Sequence, residues 1–288
     1  MRLGWLAKET GNARASRRYF ARGRGGGPAF PLTWLIIGLT VVVSASGFSL
    51  EGQRVIEGLD LDKGLVAAGE YYRLWSLTLV HGDWLHLLFN MYALYLVGPI
   101  VEQLYGSRLF LVFYLLCAAG GSVASFVFGP SVPSVGASGA IFGLFGVLLA
   151  ASRTHHPVLN QRGRSLVSQI GMLIVINLLF GFVAPNIDNA GHVGGLLSGL
   201  WLGFLIVPGR VTTLRGLWQR PAGDPDASAT ALLPAVGVAA LVVVLAVGVV
   251  FGTNARRENL SLTRPATALP GLVVTAEVSR SARLGTRP

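Results

Sequence analysis

Apolar positions fall along this chain in long blocks separated by short polar stretches. The blocks lie at roughly 31–50, 84–104, 109–129, 137–152, 166–184, 191–208 and 231–251. An α-helix rises 1.5 Å per residue, so about 20 apolar residues match the ~30 Å hydrocarbon layer of a bilayer. Seven membrane spans are therefore predicted. The stretch 137–152 is the shortest, flanked by Ser131–Val135 and closed by Arg153. A helix enclosed within a bundle does not have to meet lipid along its whole length.

Composition points the same way. The chain is 52% hydrophobic and only 12% charged, whereas soluble domains carry about 25% charged residues. A soluble domain is excluded, and the expected fold class is an all-α, polytopic membrane helical bundle. Cys117, the single cysteine, lies in an apolar run. It rules out an internal disulfide framework and any cysteine-based zinc site.

A net charge of +10 invites a nucleic-acid reading, but the basic residues cluster beside the spans. They occur in the 1–30 tail, at Arg108, at Arg153, Arg162 and Arg164, and at Arg210, Arg215 and Arg220. Two spans separate each group from the next, so all share one side, which the positive-inside rule makes cytoplasmic. The opposite loops, 51–83, 130–136 and 185–190, carry Glu51, Glu57, Asp60, Asp62, Glu70, Asp83 and Asp188 against Arg54, Lys63 and Arg73. Arg256 and Arg257 follow the last span on the outer side, against the trend. Nucleic acid is not an expected partner. The organisation expected is a basic cytoplasmic tail at 1–30, a six-span core at 31–208, a cytoplasmic loop at 209–230, a seventh span at 231–251 and a flexible tail at 252–288.

That topology gives the polar residues inside the spans a common depth. His86 and Asn90 lie in the first turns of span two, Ser138 opens span four, and His192 opens span six. These spans all run from outside to inside, so four reactive or hydrogen-bonding side chains converge on the outer leaflet. Lipid penalises buried polar groups by several kcal/mol, so such residues usually have a function. Ser138 sits in Gly136-Ala137-Ser138-Gly139 and His192 in Ala190-Gly191-His192-Val193-Gly194-Gly195. Gly139, Gly143 and Gly146 form one stripe on span four; His192, Gly195 and Gly199 share a face of span six. Small residues spaced in this way let helix backbones approach closely in membranes. Close packing would bring hydroxyl and imidazole within the roughly 2.6–3.2 Å of a nucleophile–base pair. The unpaired N–H groups and partial positive charge of a helix N-terminus suit an oxyanion, and His86 and Asn90, on one helix face, offer further donors. A serine hydrolase working within the bilayer is the expectation.

His81, His86 and His192 lie on one side, which raises a metal site as an alternative. His81 and His86 are five apart, about 140° round a helix, so they do not share a face as the histidines of HExxH do. No carboxylate is correctly spaced and His155-His156 lie in a cytoplasmic loop. Neither metal nor cofactor is expected.

The residues resemble the rhomboid family of intramembrane serine proteases. The resemblance rests on His81-x4-His86-x3-Asn90, Gly136-x-Ser138-Gly139 and Ala190-Gly191-His192-x2-Gly195-x3-Gly199, in that order on spans two, four and six. It covers about residues 70–208. It implies a six-helix core plus a seventh, C-terminal transmembrane helix. It also implies a Ser138/His192 dyad with no acidic third member, and an oxyanion hole from the Ser138 N–H with His86 and Asn90. Gly136, Gly139, Gly195, Gly199 and His81 are the supporting motif positions. Tyr72-Arg73 resembles the family's Trp-Arg element in the first loop, with Tyr in place of Trp. Glu102 resembles the carboxylate at the inner end of span two, and Phe142 falls where an aromatic packs on the histidine. The loop at 51–75 is expected to rest partly in the outer leaflet.

The implied activity is an intramembrane serine endopeptidase cutting the transmembrane helices of single-span membrane proteins near the outer leaflet, in a plasma membrane of bacterial type. One alternative is a catalytically inactive rhomboid-like protein that binds membrane clients; such relatives usually lack the serine or histidine, and both are present here. Another is a transporter, which would need polar residues in the inner halves of spans two, four and six, and those halves are almost entirely apolar.

Overall fold

The computed structural model describes residues 30–49, 52–154, 171–172, 181, 187–206 and 226–262. The predicted span at 166–184 lies outside these apart from residues 171–172 and 181. So do the tail before Phe30, nearly all of the 209–230 loop, and the residues beyond Leu262. Nine α-helices and no strand occur among the described residues, and the chain is a multi-pass membrane protein.

Helix α1 spans Pro31–Gly47. A loop region follows with three short helices, α2 (Gln53–Leu59), α3 (Lys63–Ala67) and α4 (Arg73–Ser76), and a 3-10 turn at Leu77–Leu79. The long helices are α5 (Trp84–Tyr105), α6 (Ser107–Phe128), α7 (Ser138–Thr154), α8 (Asn189–Leu205) and α9 (Asp226–Leu262). Trp84–Tyr105, Ser107–Phe128 and Leu232–Glu258 are each long and apolar enough to cross a bilayer. Their outward faces keep large apolar side chains exposed, among them Leu85, Leu88, Phe89, Val243 and Val247, as lipid requires.

Helix α9 contains the predicted span at 231–251 and runs beyond it on both sides, from 226 to 262. Pro225 precedes its first residue and Pro265 follows its last, with no proline between except Pro234. The intervening Ala, Arg and Glu residues sustain a helix past the hydrophobic edge, so the start of the predicted flexible tail is helical.

Helix α7 lies at the centre, packed against α8, α6 and α5. Its contact with α8 is backbone to backbone. A Cβ at Gly195 would overlap the Gly139 carbonyl oxygen, and one at Gly199 would overlap that of Gly143. Only glycine allows this approach. Beside the seam, Phe113, Cys117, Leu144, Val147, Leu148 and Leu202 form a buried core.

The two ends of the bundle are tied differently. Phe30 provides no side-chain cap for α1, so the first N–H groups of that helix need partners from elsewhere. Glu102 of α5 supplies them. Its carboxylate accepts from Leu32 N (3.2 Å), Thr33 N (3.0 Å), Thr33 Oγ1 (2.7 Å) and Ser107 Oγ (2.6 Å). At the other end, Arg256 of α9 donates to the Phe126 carbonyl at 2.9 Å and lies over the Phe126 ring. Arg256 therefore stands at the same end of the bundle as the turn leading into Ser138.

Candidate active site

Ser138 is the first residue of α7 and His192 sits in the first turn of α8. The glycine seam brings both helix starts together. Ser138 Oγ and His192 Nε2 are 2.8 Å apart, inside the range a nucleophile and its base require. The Phe142 ring, one turn along α7, stacks on the imidazole with centroids 4.4 Å apart and planes 3° from parallel. His192 Nδ1 is buried and, among the described residues, no group bonds to it. Among the described residues no carboxylate reaches that nitrogen, and the ring is contacted by the Phe142 stack and the Ser138 hydroxyl.

The turn before Ser138 is shaped by Gly136, whose φ of +114° is a left-handed conformation that L side chains rarely adopt. A Cβ there would stand 2.8 Å from both Cε1 and Nε2 of His86. The His86 ring thus lies directly against the backbone leading to Ser138. The Gly136 N–H donates to Leu77 O at 3.0 Å, which anchors the turn to the first loop.

His81 is fully buried, its ring edge-on to His86 at 4.9 Å. Ser44 has one hydroxyl hydrogen and gives it to Leu79 O at 2.9 Å. The 3.0 Å contact between Ser44 Oγ and His81 Nδ1 is then a bond donated by His81. That tautomer leaves Nε2 as an acceptor, facing the Ala137 N–H at 3.4 Å. Burial pushes His81 down to about 3, with His86 adding to the shift and Asp83 opposing it, so the ring is neutral.

Asn90 is buried on α5, and its amide donates one hydrogen bond to the His86 carbonyl at 3.0 Å. Two other predicted residues are not brought to the site. Arg73 binds within its own loop, to Asp60 at 2.7 Å, to Glu70 at 2.8 Å and to the carbonyls of Glu57 and Asp60 at 2.9 Å. Glu102 lies sixteen residues along α5 from His86, about 24 Å at the helical rise.

A cavity of about 30 Å³, room for about two waters, opens beside Ser138 and His192. Its far wall carries Ser122, Ser125, Ser134 and Asp188, residues the motifs did not single out. Asp188 caps α8, accepting from Gly191 N at 2.9 Å. It also accepts from Ser134 Oγ at 2.7 Å and from Ser125 Oγ in a short contact. The sequence signal for Asp188 was its place three residues before Gly191 at a helix start, a capping position. Nothing in the linear pattern marks the two serines.

The sequence profile of the Rhomboid domain matches residues 68–209. The chain is 37% identical over 203 residues to Rhomboid protease GluP of Bacillus subtilis (strain 168), covering 69% of this chain and 38% of that protein. It is 34% identical over 182 residues to Putative rhomboid protease YdcA of the same organism, covering 62% of this chain and 89% of that one. RHOMBOID-like protein 5 of Arabidopsis thaliana is 39% identical over 150 residues, covering 51% and 48%. The chain thus spans less than half the length of the first and third of these relatives.

Proposed function

The chain belongs to the rhomboid family, and we propose that it is an intramembrane serine endopeptidase using Ser138 and His192. The observation carrying this reading is the 2.8 Å approach of Ser138 Oγ to His192 Nε2 at adjoining helix starts. Two of the relatives bear the name rhomboid protease, which supports peptide hydrolysis as the reaction.

The proposed chemistry needs few groups. Ser138 Oγ attacks the scissile carbonyl carbon while His192 Nε2 takes the hydroxyl proton. The carbonyl oxygen becomes an oxyanion, held by the Ser138 N–H at the start of α7 and by the His86 and Asn90 side chains. Collapse breaks the C–N bond, and His192 returns its proton to the departing amine. Water then adds to the acyl-Ser138 ester with His192 again as base, freeing the acid and the serine. The Phe142 face beside the imidazole favours the transient imidazolium by cation–π attraction.

The substrate proposed is a single-span membrane protein cut near the outer leaflet of a bacterial plasma membrane, with the chain's N-terminus cytoplasmic. An intact substrate helix ties up its carbonyls in hydrogen bonds, so cleavage requires local unwinding, and helix-breaking residues in the substrate promote it. The test is a panel of single-span proteins in liposomes with product mapping by mass, alongside labelling by a fluorophosphonate. Loss of both cleavage and labelling in Ser138→Ala and in His192→Ala is expected. Cleavage persisting in folded Ser138→Ala would refute the assignment; binding of clients without cleavage or labelling in the unaltered chain would identify the inactive client-binder instead.

A further inference from the structure

Lys63 is among the most enclosed side chains in the molecule, 2% exposed, although it belongs to a short loop helix. Burying a cation is costly unless it is paired and hydrogen-bonded. Its Nζ donates to Val132 O at 2.8 Å and to Ser134 Oγ at 3.1 Å. Ser134 has one hydroxyl hydrogen, which goes to Asp188 Oδ2 at 2.7 Å. Asp188 Oδ1 in turn receives the Gly191 N–H at 2.9 Å, and Asp188 O receives the His192 N–H at 3.1 Å. Two of the three ammonium N–H groups have acceptors, and because Ser134 gives its one hydrogen to Asp188 the direction of each named bond is set. Burial pulls Lys63 below the ordinary lysine range, Asp188 opposes that shift and Arg256 adds to it.

The series touches both catalytic arms. Ser134 lies four residues before Ser138, and its backbone pairs with Leu61 through Leu61 N to Ser134 O (2.8 Å) and Ser134 N to Leu61 O (3.3 Å). Asp188 lies four residues before His192 on the capped turn of α8. One ammonium therefore references the turn that delivers the nucleophile and, through one hydroxyl, the helix that carries the base. We propose that Lys63 is a positioning residue for the hydrolysis, acting through Ser134 and Asp188 to hold the register of His192 against Ser138; this rests on the Ser138/His192 reading above. Misplacement of about 1 Å at a reacting pair costs on the order of 100-fold in rate, so a remote side chain that sets this register controls kcat. Lys63 does not line the cavity, so KM is governed by other residues.

The test uses the full chain in liposomes, with kcat and KM on a single-span substrate and the rate of fluorophosphonate labelling, all per folded molecule. Lys63→Met, Asp188→Asn and the double variant form a cycle, with Ser138→Ala and His192→Ala in parallel. Lys63→Met is expected to lower kcat and the labelling rate together by about 10-fold while KM stays within twofold. The double variant is expected to be no slower than the slower single variant, because both act through one series. Lys63→Gln keeps a donor for Val132 and Ser134, and is expected to regain part of the loss. Full kcat in folded Lys63→Met, or multiplicative losses in the double variant, would overturn the proposal while leaving the dyad standing. Activity in folded Ser138→Ala would instead remove the dyad, whatever Lys63 does. If Lys63→Met does not fold, Lys63→Gln with Asp188→Asn completes the same cycle and the same outcomes decide.

Discussion

Two buried or half-buried carboxylates cap helices at opposite ends of this bundle, and they do different things. Glu102 caps a neighbouring helix, taking two backbone N–H groups and two hydroxyls. It does not line the cavity beside Ser138 and His192, and it lies about 24 Å along α5 from His86. Asp188 caps its own helix, shares its second oxygen with Ser125 and Ser134, and lines the cavity beside Ser138 and His192. The same chemistry ties two helices together at one end and, on the proposed reading, sets the Ser138/His192 pair at the other. Glu102 closes a helix end that has no cap of its own, whereas Asp188 caps the helix whose first turn carries His192, 2.8 Å from Ser138 Oγ.

Removing each carboxylate separates these roles most sharply. Asp188→Ala frees Gly191 N and two hydroxyls at the start of the helix bearing His192. Labelling by a fluorophosphonate is expected to slow about 100-fold per folded molecule, roughly 2.7 kcal/mol of barrier. Glu102→Gln leaves a neutral amide before four donors, at a cost of about 2 kcal/mol in stability. Its melting temperature should fall while its labelling rate per folded molecule changes less than threefold. A labelling defect in Glu102→Gln matching that of Asp188→Ala would erase the distinction between the two ends.

How legible these ends were in the sequence depended on whether their residues carry a periodic or spaced signal. Ser138, His192 and the small-residue stripes of α7 and α8 are spaced along single helices, so their convergence followed from pattern and alternating topology. The residues 70–208 that carry the motifs nearly coincide with the 68–209 matched by the Rhomboid domain. The partners of Glu102, Thr33 and Ser107, come from two other helices. Lys63, Ser134 and Asp188 likewise come from three separate segments, and Lys63 read as one more charge in an outer loop. Single polar residues that meet only after folding leave no periodicity, so this second layer became visible only in three dimensions.

Acid should weaken the Ser138 end through His81. The folded chain keeps His81 neutral down to about pH 3, whereas an unfolded histidine protonates below about pH 6.5. Its stabilising effect is complete above pH 6.5 and drains away as pH falls toward 3, by up to about 1.4 kcal/mol per unit. Thermal melts of the unaltered chain between pH 7 and 5 should show this decline. In His81→Asn, which has no titrating ring, the slope should flatten; an unchanged slope would place the acid sensitivity elsewhere.

The smallest effect tests whether the imidazole at this end is held by its neighbours rather than by a third charged residue. Phe142 stacks on His192 nearly parallel at 4.4 Å, while Phe145 meets Phe142 edge-on at 6.3 Å. Phe142→Leu keeps most of the apolar volume but removes the π face, a contact worth about 0.5–1.5 kcal/mol. The expected result is a fall in kcat of roughly threefold to tenfold with little change in melting temperature. Phe145→Leu, which leaves the stack in place, should keep kcat within twofold. Equal losses in the two variants would show that α7 packing as a whole, and not the ring on His192, governs the rate. A selective loss in Phe142→Leu would mean that His192, with no partner on Nδ1 among the described residues, is oriented by stacking and by the capped turn that Asp188 holds.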